Sequence, residues 1–188
     1  MPSWHTIIGV FTDHWTIWLV TVVLIVAAVI DGWKLKVPNK ITFPFIISGW
    51  IYWMMFAGWE GLWWSLGGTL MGLALLLPFY AIGGMGSGDV KLLAGVGAWI
   101  CGTDTFYAFC VSAILGGVIS VCMVLFRKNW RHHLKQFRLI THEILVIRDP
   151  EKLSEIAADR KSSMMLLPYG IPIAIGTITY FIWTGMLP

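Results

Sequence analysis

The fold class this sequence predicts is all-α: a polytopic membrane protein with six transmembrane helices and its amino terminus outside. Three observations predict it. Hydrophobic residues make up 57% of the chain against 12% charged, and mean hydropathy is +0.76, far from the makeup of a soluble domain. Several uncharged stretches are long enough to cross a bilayer. The basic residues are so distributed that one orientation places all of them on the inner side. A single membrane-embedded domain is expected over 1–188, with 127–166 a cytoplasmic, basic, amphipathic loop.

The first segment, Trp15 to Ile30, has no Lys or Arg before Lys34, so it lacks the basic start of a cleavable secretion signal and is expected to remain in the mature protein. The second, third, fifth and sixth segments are Ile41 to Ala57, Leu62 to Ile82, Thr105 to Phe126 and Leu167 to Met186. The fourth, Val90 to Cys101, rises only about 18 Å, short of a hydrocarbon core about 30 Å thick. Its start is therefore expected to be sunk below the inner surface. Non-helical backbone at that depth is tolerated only where protein or water surrounds it, so the GGMGSG stretch before it is expected to line a wet pocket.

With the amino terminus outside, all 13 Lys and Arg residues fall on the inner side, while Asp13, Glu60 and Asp104 fall outside. Trp15, Trp18, Trp59, Trp63, Trp64, Trp99 and Trp183 gather near the outer ends, as an interfacial aromatic belt does. Gly68 and Gly72, and Ser112, Gly116 and Ser120, recur at four-residue spacing and predict close helix packing. Cys101, Cys110 and Cys122 read as packing residues, and no Cys/His spacing suits zinc, so no metal site is expected. In the long inner loop Trp130, Leu134, Phe137 and Ile144 share a face, followed by the helix start Asp149-Pro150; the loop is expected to lie on the membrane surface.

Two acids stand out in this apolar context, where an ionisable group is expensive and usually functional. Asp89 follows the glycine run Gly83-Gly84-Met85-Gly86-Ser87-Gly88, where it reads either as the N-cap of the fourth helix or as a reacting carboxylate. Asp31 closes the first segment at a helix end that disfavours negative charge, and reads either as a solvated acid offset by Lys34 and Lys36 or as the partner of Asp89. The predicted topology puts both on the same side of the membrane. Two carboxylates sharing a site divide into one ionised and one protonated, the division an aspartic protease needs. The helix-dipole argument assigns the charge to Asp89 and the proton to Asp31. Gly86, Gly88, Lys91 and Asn39 are the candidate substrate-binding or site-shaping residues. Lys91 snorkels or contacts the site, and Asn39 caps the second helix or orients the neighbouring acid. His132 and His133 read as solvated, and no Ser/His/Asp, HExxH, Walker or dinucleotide pattern occurs.

Asp31 with Pro38-Asn39, Gly86-Ser87-Gly88-Asp89-Val90-Lys91-Leu92, and Pro168-Tyr169-Gly170 with Gly176 together resemble the type IV prepilin peptidases, which are GxGD intramembrane aspartic proteases. The resemblance implies that Asp31 and Asp89 are the catalytic pair. It implies a prepilin or pseudopilin substrate whose basic leader is cut on the cytoplasmic side of the bacterial inner membrane, with no cofactor and no nucleic-acid partner. The longer members carry an N-methyltransferase region with paired cysteines; the link from Asp31 to Lys40 has no room for it, so a short form similar to those of Flp pili is expected. Presenilin-like and signal-peptide-peptidase-like proteases share GxGD, but here Ile30 precedes Asp31 where those have Tyr, and Pro168-Tyr169-Gly170 replaces their Pro-Ala-Leu. The alternative outside the enzymes is a small transporter or pilus assembly factor whose two Asp residues bind ions or pair with Lys.

Overall fold

The computed structural model describes residues 14–81, 85–126 and 169–187. These form four helices and, among the described residues, no strand: α1 (Trp15–Lys34), α2 (Asn39–Ala81), α3 (Ser87–Phe126) and α4 (Gly170–Trp183). Two of the four are not continuous rods. Gly58 in α2 (φ 62°, ψ −145°) and Cys101 in α3 (φ 66°, ψ −179°) leave helical geometry. The Trp50 indole N–H donates to the Thr69 hydroxyl at 2.9 Å across 19 positions, which would lie about 28 Å apart on an unbroken helix. The chain therefore doubles back at Gly58, and α2 is a hairpin of 39–57 and 59–81.

In α3 the return is read against α4. Asp104 accepts from the Tyr180 hydroxyl, the Ser112 hydroxyl donates to Ile173 O, and Gly116 lies under Pro172. Residues 102–126 thus run antiparallel to α4 and bring the chain back toward the level of Asp89. Links expected at 58–61 and 102–104 shrink to one non-helical residue each, because helical geometry resumes at once on the far side of the break.

Residues 92–100 are buried at every position, so the first half of α3 is the central helix. Phe45 and Gly49 of α2 meet its Gly95 and Ala98, and Gly68 and Gly97 approach so closely that a Cβ on either would strike the other's backbone. The predicted small-residue contacts are present at Gly68 and Gly72 against α3, and at Ser112 and Gly116 against α4. Leu24, Leu92, Leu93, Val96 and Phe181 form the centre of the core.

The outside of the bundle is apolar: Trp33, Met55, Phe56, Trp59, Trp63 and Trp183 are all exposed, as side chains facing lipid are. Three helices, α1, α2 and α3 over Ser87–Met123, are long and apolar enough to cross a membrane; α4 is apolar but shorter. The loop expected over 127–166 and residues 83, 84 and 168 lie outside the described residues.

Candidate active site

α1 runs a turn beyond the expected end at Ile30, because nothing in 31–34 breaks a helix. It stops where Leu35 turns left-handed (φ 51°) and its N–H donates to Asp31 O at 2.8 Å, with Pro38 close behind. Asp31 consequently sits inside the last turn, and its side chain is only 2% exposed. One carboxylate oxygen, Oδ2, accepts from the backbone N–H of Gly170 at 2.8 Å. Gly170 is the first residue of α4, and a Cβ there would lie 2.8 Å from the same oxygen. The absence of a side chain is what lets the amide reach the acid.

Asp89 is the third residue of α3 and not the expected N-cap, because the helix already begins at Ser87. Its Oδ2 accepts from the Gly86 N–H at 3.2 Å while its own N–H donates to Gly86 O at 3.2 Å, the acidic half of a capping box. The carboxylate is 5% exposed. A Cβ on Gly86 would crowd that oxygen at 3.2 Å, and a Cβ on Gly88 would meet Val37 O at 2.7 Å. Each glycine of the GxGD turn thus has its own reason: the first leaves room for the carboxylate, the second for the α1–α2 link lying across it.

The two acids converge on the start of α4. Gly170 holds Asp31, and its neighbour Tyr169 lies close enough to Asp89 for the two to interact electrostatically. The dipeptide Tyr169-Gly170 thus hydrogen-bonds one carboxylate and lies within electrostatic range of the other. Asp31 is at the carboxyl end of α1, yet it is also at the amino end of α4, where N–H groups point outward. Both acids therefore receive an N–H from a helix start.

The neighbouring candidates form a second contact. Lys91 Nζ donates to Asn39 Oδ1 at 2.9 Å and stands 4.9 Å over the Phe43 ring. Asn39 opens α2 and anchors this lysine to it. Lys34, Lys36, Lys40 and Lys91 are the lysines among the described residues, and all lie at this end of the bundle. Met85, from the glycine-rich stretch, lines a pocket of about 240 Å³ shared with Tyr169 and walls that are mostly apolar. Among the described residues no group of three or more His, Cys, Asp or Glu is placed to hold a metal ion.

Tyr169 and Gly170 belong to the Pro168-Tyr169-Gly170 motif that carries the family resemblance, but the sequence gives them no place among the candidate site residues. The available signal was a glycine at the start of an apolar segment, where a backbone N–H is free to donate and no Cβ blocks it.

A model of the type IV leader peptidase family matches residues 18–121, more than half of the chain, spanning Asp31 and the whole GxGD turn. The chain belongs to the type IV leader peptidase family. Among curated proteins it is similar to the prepilin leader peptidase/N-methyltransferase of Aeromonas salmonicida and to that of Aeromonas hydrophila. Each is 27% identical over 135 residues, covering 68% of this chain and 43% of the relative. The chain thus spans less than half the length of these relatives. No solved structure matches it. As a member of this family built from apolar helices, it is a membrane protein.

Proposed function

We propose that the protein is an intramembrane aspartic endopeptidase that removes the basic leader from type IV (Flp-like) prepilins or pseudopilins at the cytoplasmic face of the bacterial inner membrane. The observation that carries the reading is the burial of two carboxylates, Asp31 and Asp89, at the same end of the bundle, each held by the amide of a helix start. Family membership and the relatives' names supply the substrate class. Of the two activities in those names, the carboxylate pair bears on the first.

In this reading the dyad shares one proton. The ionised carboxylate takes a proton from water as the water oxygen attacks the scissile carbonyl, and the protonated carboxyl gives its proton to the carbonyl oxygen. As the tetrahedral intermediate collapses, its hydroxyl returns a proton to the second carboxylate, the C–N bond breaks, and the leaving amine takes the proton held by the first. The dyad ends with one proton, as it began. Amides of Gly86 and Gly170 hold the two carboxylates in place through the cycle, which keeps the reacting groups pre-positioned.

The proposed topology has six spans, with the amino terminus outside and the carboxylate end facing the cytoplasm. The clustering of Lys34, Lys36, Lys40 and Lys91 at that end supports it. Cleavage of a co-expressed prepilin in membranes tests the function. Asp31→Asn and Asp89→Asn, at equal protein abundance, are each expected to lower processing by at least about 10³-fold. Processing that survives either change removes that residue from the chemistry.

A further inference from the structure

Beside Tyr169 opens a pocket of about 240 Å³ that no step of the proposed cleavage uses. We propose that this pocket is a specificity subsite that seats apolar side chains of the substrate's membrane segment just beyond the scissile bond, with Gly117 setting how large they can be. This rests on the peptidase reading and names the part of the substrate that the site holds.

Position comes first. The pocket shares Met85 with the stretch that leads into the Asp89 turn, and Tyr169 with the dipeptide whose Gly170 amide holds Asp31. An occupant of the pocket is therefore next to the dyad. Direction comes second. Phe109 and Ser120 both line the pocket and lie about 16 Å apart along the same helix. Because Gly116 lies under Pro172 and Ser112 meets Ile173, the Ser120 end is at the level of the carboxylates and the Phe109 end lies deeper in the bundle. A chain leaving the dyad along this line runs into the apolar interior, which suits an apolar segment and does not suit a basic leader.

Chemistry and size agree. The Ser120 hydroxyl donates to Gly116 O at 2.7 Å, and that of Ser112 donates to Ala108 O at 2.7 Å, so both serines are satisfied within their own helix. The remaining walls are largely carbon. An apolar cavity of about 150 Å³ accepts a benzene ring, so this one takes one large or two modest apolar side chains. A Cβ on Gly117 would meet nothing within 4 Å, which leaves open space above it.

That open space makes the test clean. Gly117→Leu places a side chain in the pocket at a helical position where leucine is favoured over glycine. The full-length protein in membranes is given two prepilins, one with its bulky apolar residues after the cleavage site and one with alanines there. The ratio of their cleavage rates, bulky over small, is expected to fall about tenfold in Gly117→Leu, the scale at which a pocket senses added methylenes. Gly67→Leu, the same exchange at another exposed glycine with open space above it, is expected to leave the ratio as in the wild type. An unchanged ratio in Gly117→Leu overturns the proposal.

A second measurement does not depend on turnover. Asp89→Asn protein is loaded with prepilin carrying a photo-crosslinking side chain at successive positions after the cleavage site, or in the leader. Crosslinks from the former are expected within 109–120. Crosslinks only to lipid, which would mean an acyl chain fills the pocket, or only elsewhere in the protein, overturn the proposal while the peptidase reading stands. Continued cleavage by Asp89→Asn would instead remove Asp89 from the chemistry, and no cleavage of either prepilin by the wild type would remove the peptidase reading itself.

Discussion

The bundle has two ends about 24 Å apart along α1, and they are held together by opposite means. At the Trp15 end, side chains reach main chain. The Trp99 indole N–H donates to Phe45 O at 2.9 Å and that of Trp53 to Trp99 O at 3.0 Å, while Trp15 stands edge-on to Tyr52 at 5.2 Å and to Trp99 at 6.1 Å. At the Asp31 end, main chain reaches side chains: the amides of Gly86 and Gly170 donate to Asp89 and Asp31. Large rings bring buried area and stability to one end. Glycines bring backbone close to carboxylates at the other. Substitutions at the first end should therefore act on stability, and those at the second on chemistry.

Trp99→Ala tests the first half of that contrast most severely. It removes a buried ring stacked on Tyr52 and Phe45, and is expected to cost about 3–5 kcal/mol of stability, read by thermal denaturation in detergent. Cleavage per folded molecule should stay near wild type. A selective loss of turnover at full stability would break the division.

Gly170→Ala tests the other half. The new Cβ would sit 2.8 Å from Asp31 Oδ2, and displacing that carboxylate by about 1 Å is expected to lower prepilin cleavage about 10²-fold with little change in melting temperature. A variant that melts far below wild type yet cleaves normally per folded molecule would reverse the assignment.

Two smaller changes sharpen the contrast at the aromatic end. Tyr180→Phe deletes the 2.6 Å bond to Asp104 and is expected to cost about 1–3 kcal/mol, with cleavage unaffected. Cys101→Gly relieves a left-handed residue that carries a Cβ (φ 66°) and is expected to raise stability by about 1 kcal/mol, visible as a small upward shift in melting.

The two ends also differ in how far the sequence discloses them. Apolar runs announced the helical segments, and the GxGD turn announced Asp89, because hydropathy and glycine clusters are properties of residue type. The tryptophans at the Trp15 end were expected as a belt, but which carbonyl each indole meets depends on how α2 packs on α3. Asp31 was visible as an acid beside lysines; its burial was not, since the group that satisfies it is an amide 139 positions away, and every residue but proline has one. The missing Cβ of Gly170, within the Pro168-Tyr169-Gly170 motif, hinted at that contact. The breaks at Gly58 and Cys101 were expected as links of several residues, for no residue type marks a reversal made in a single step, least of all a cysteine.

Those single-residue reversals have a consequence for how the protein meets proteases. Nicking enzymes need a stretch of chain they can draw out into extended form, and they find it at exposed loop tips. Where α2 and α3 turn back, helix follows helix with one residue between, so no such stretch is offered. Digestion from the aromatic side should leave both hairpins uncut at their tips, even though those tips are the points farthest from the carboxylates.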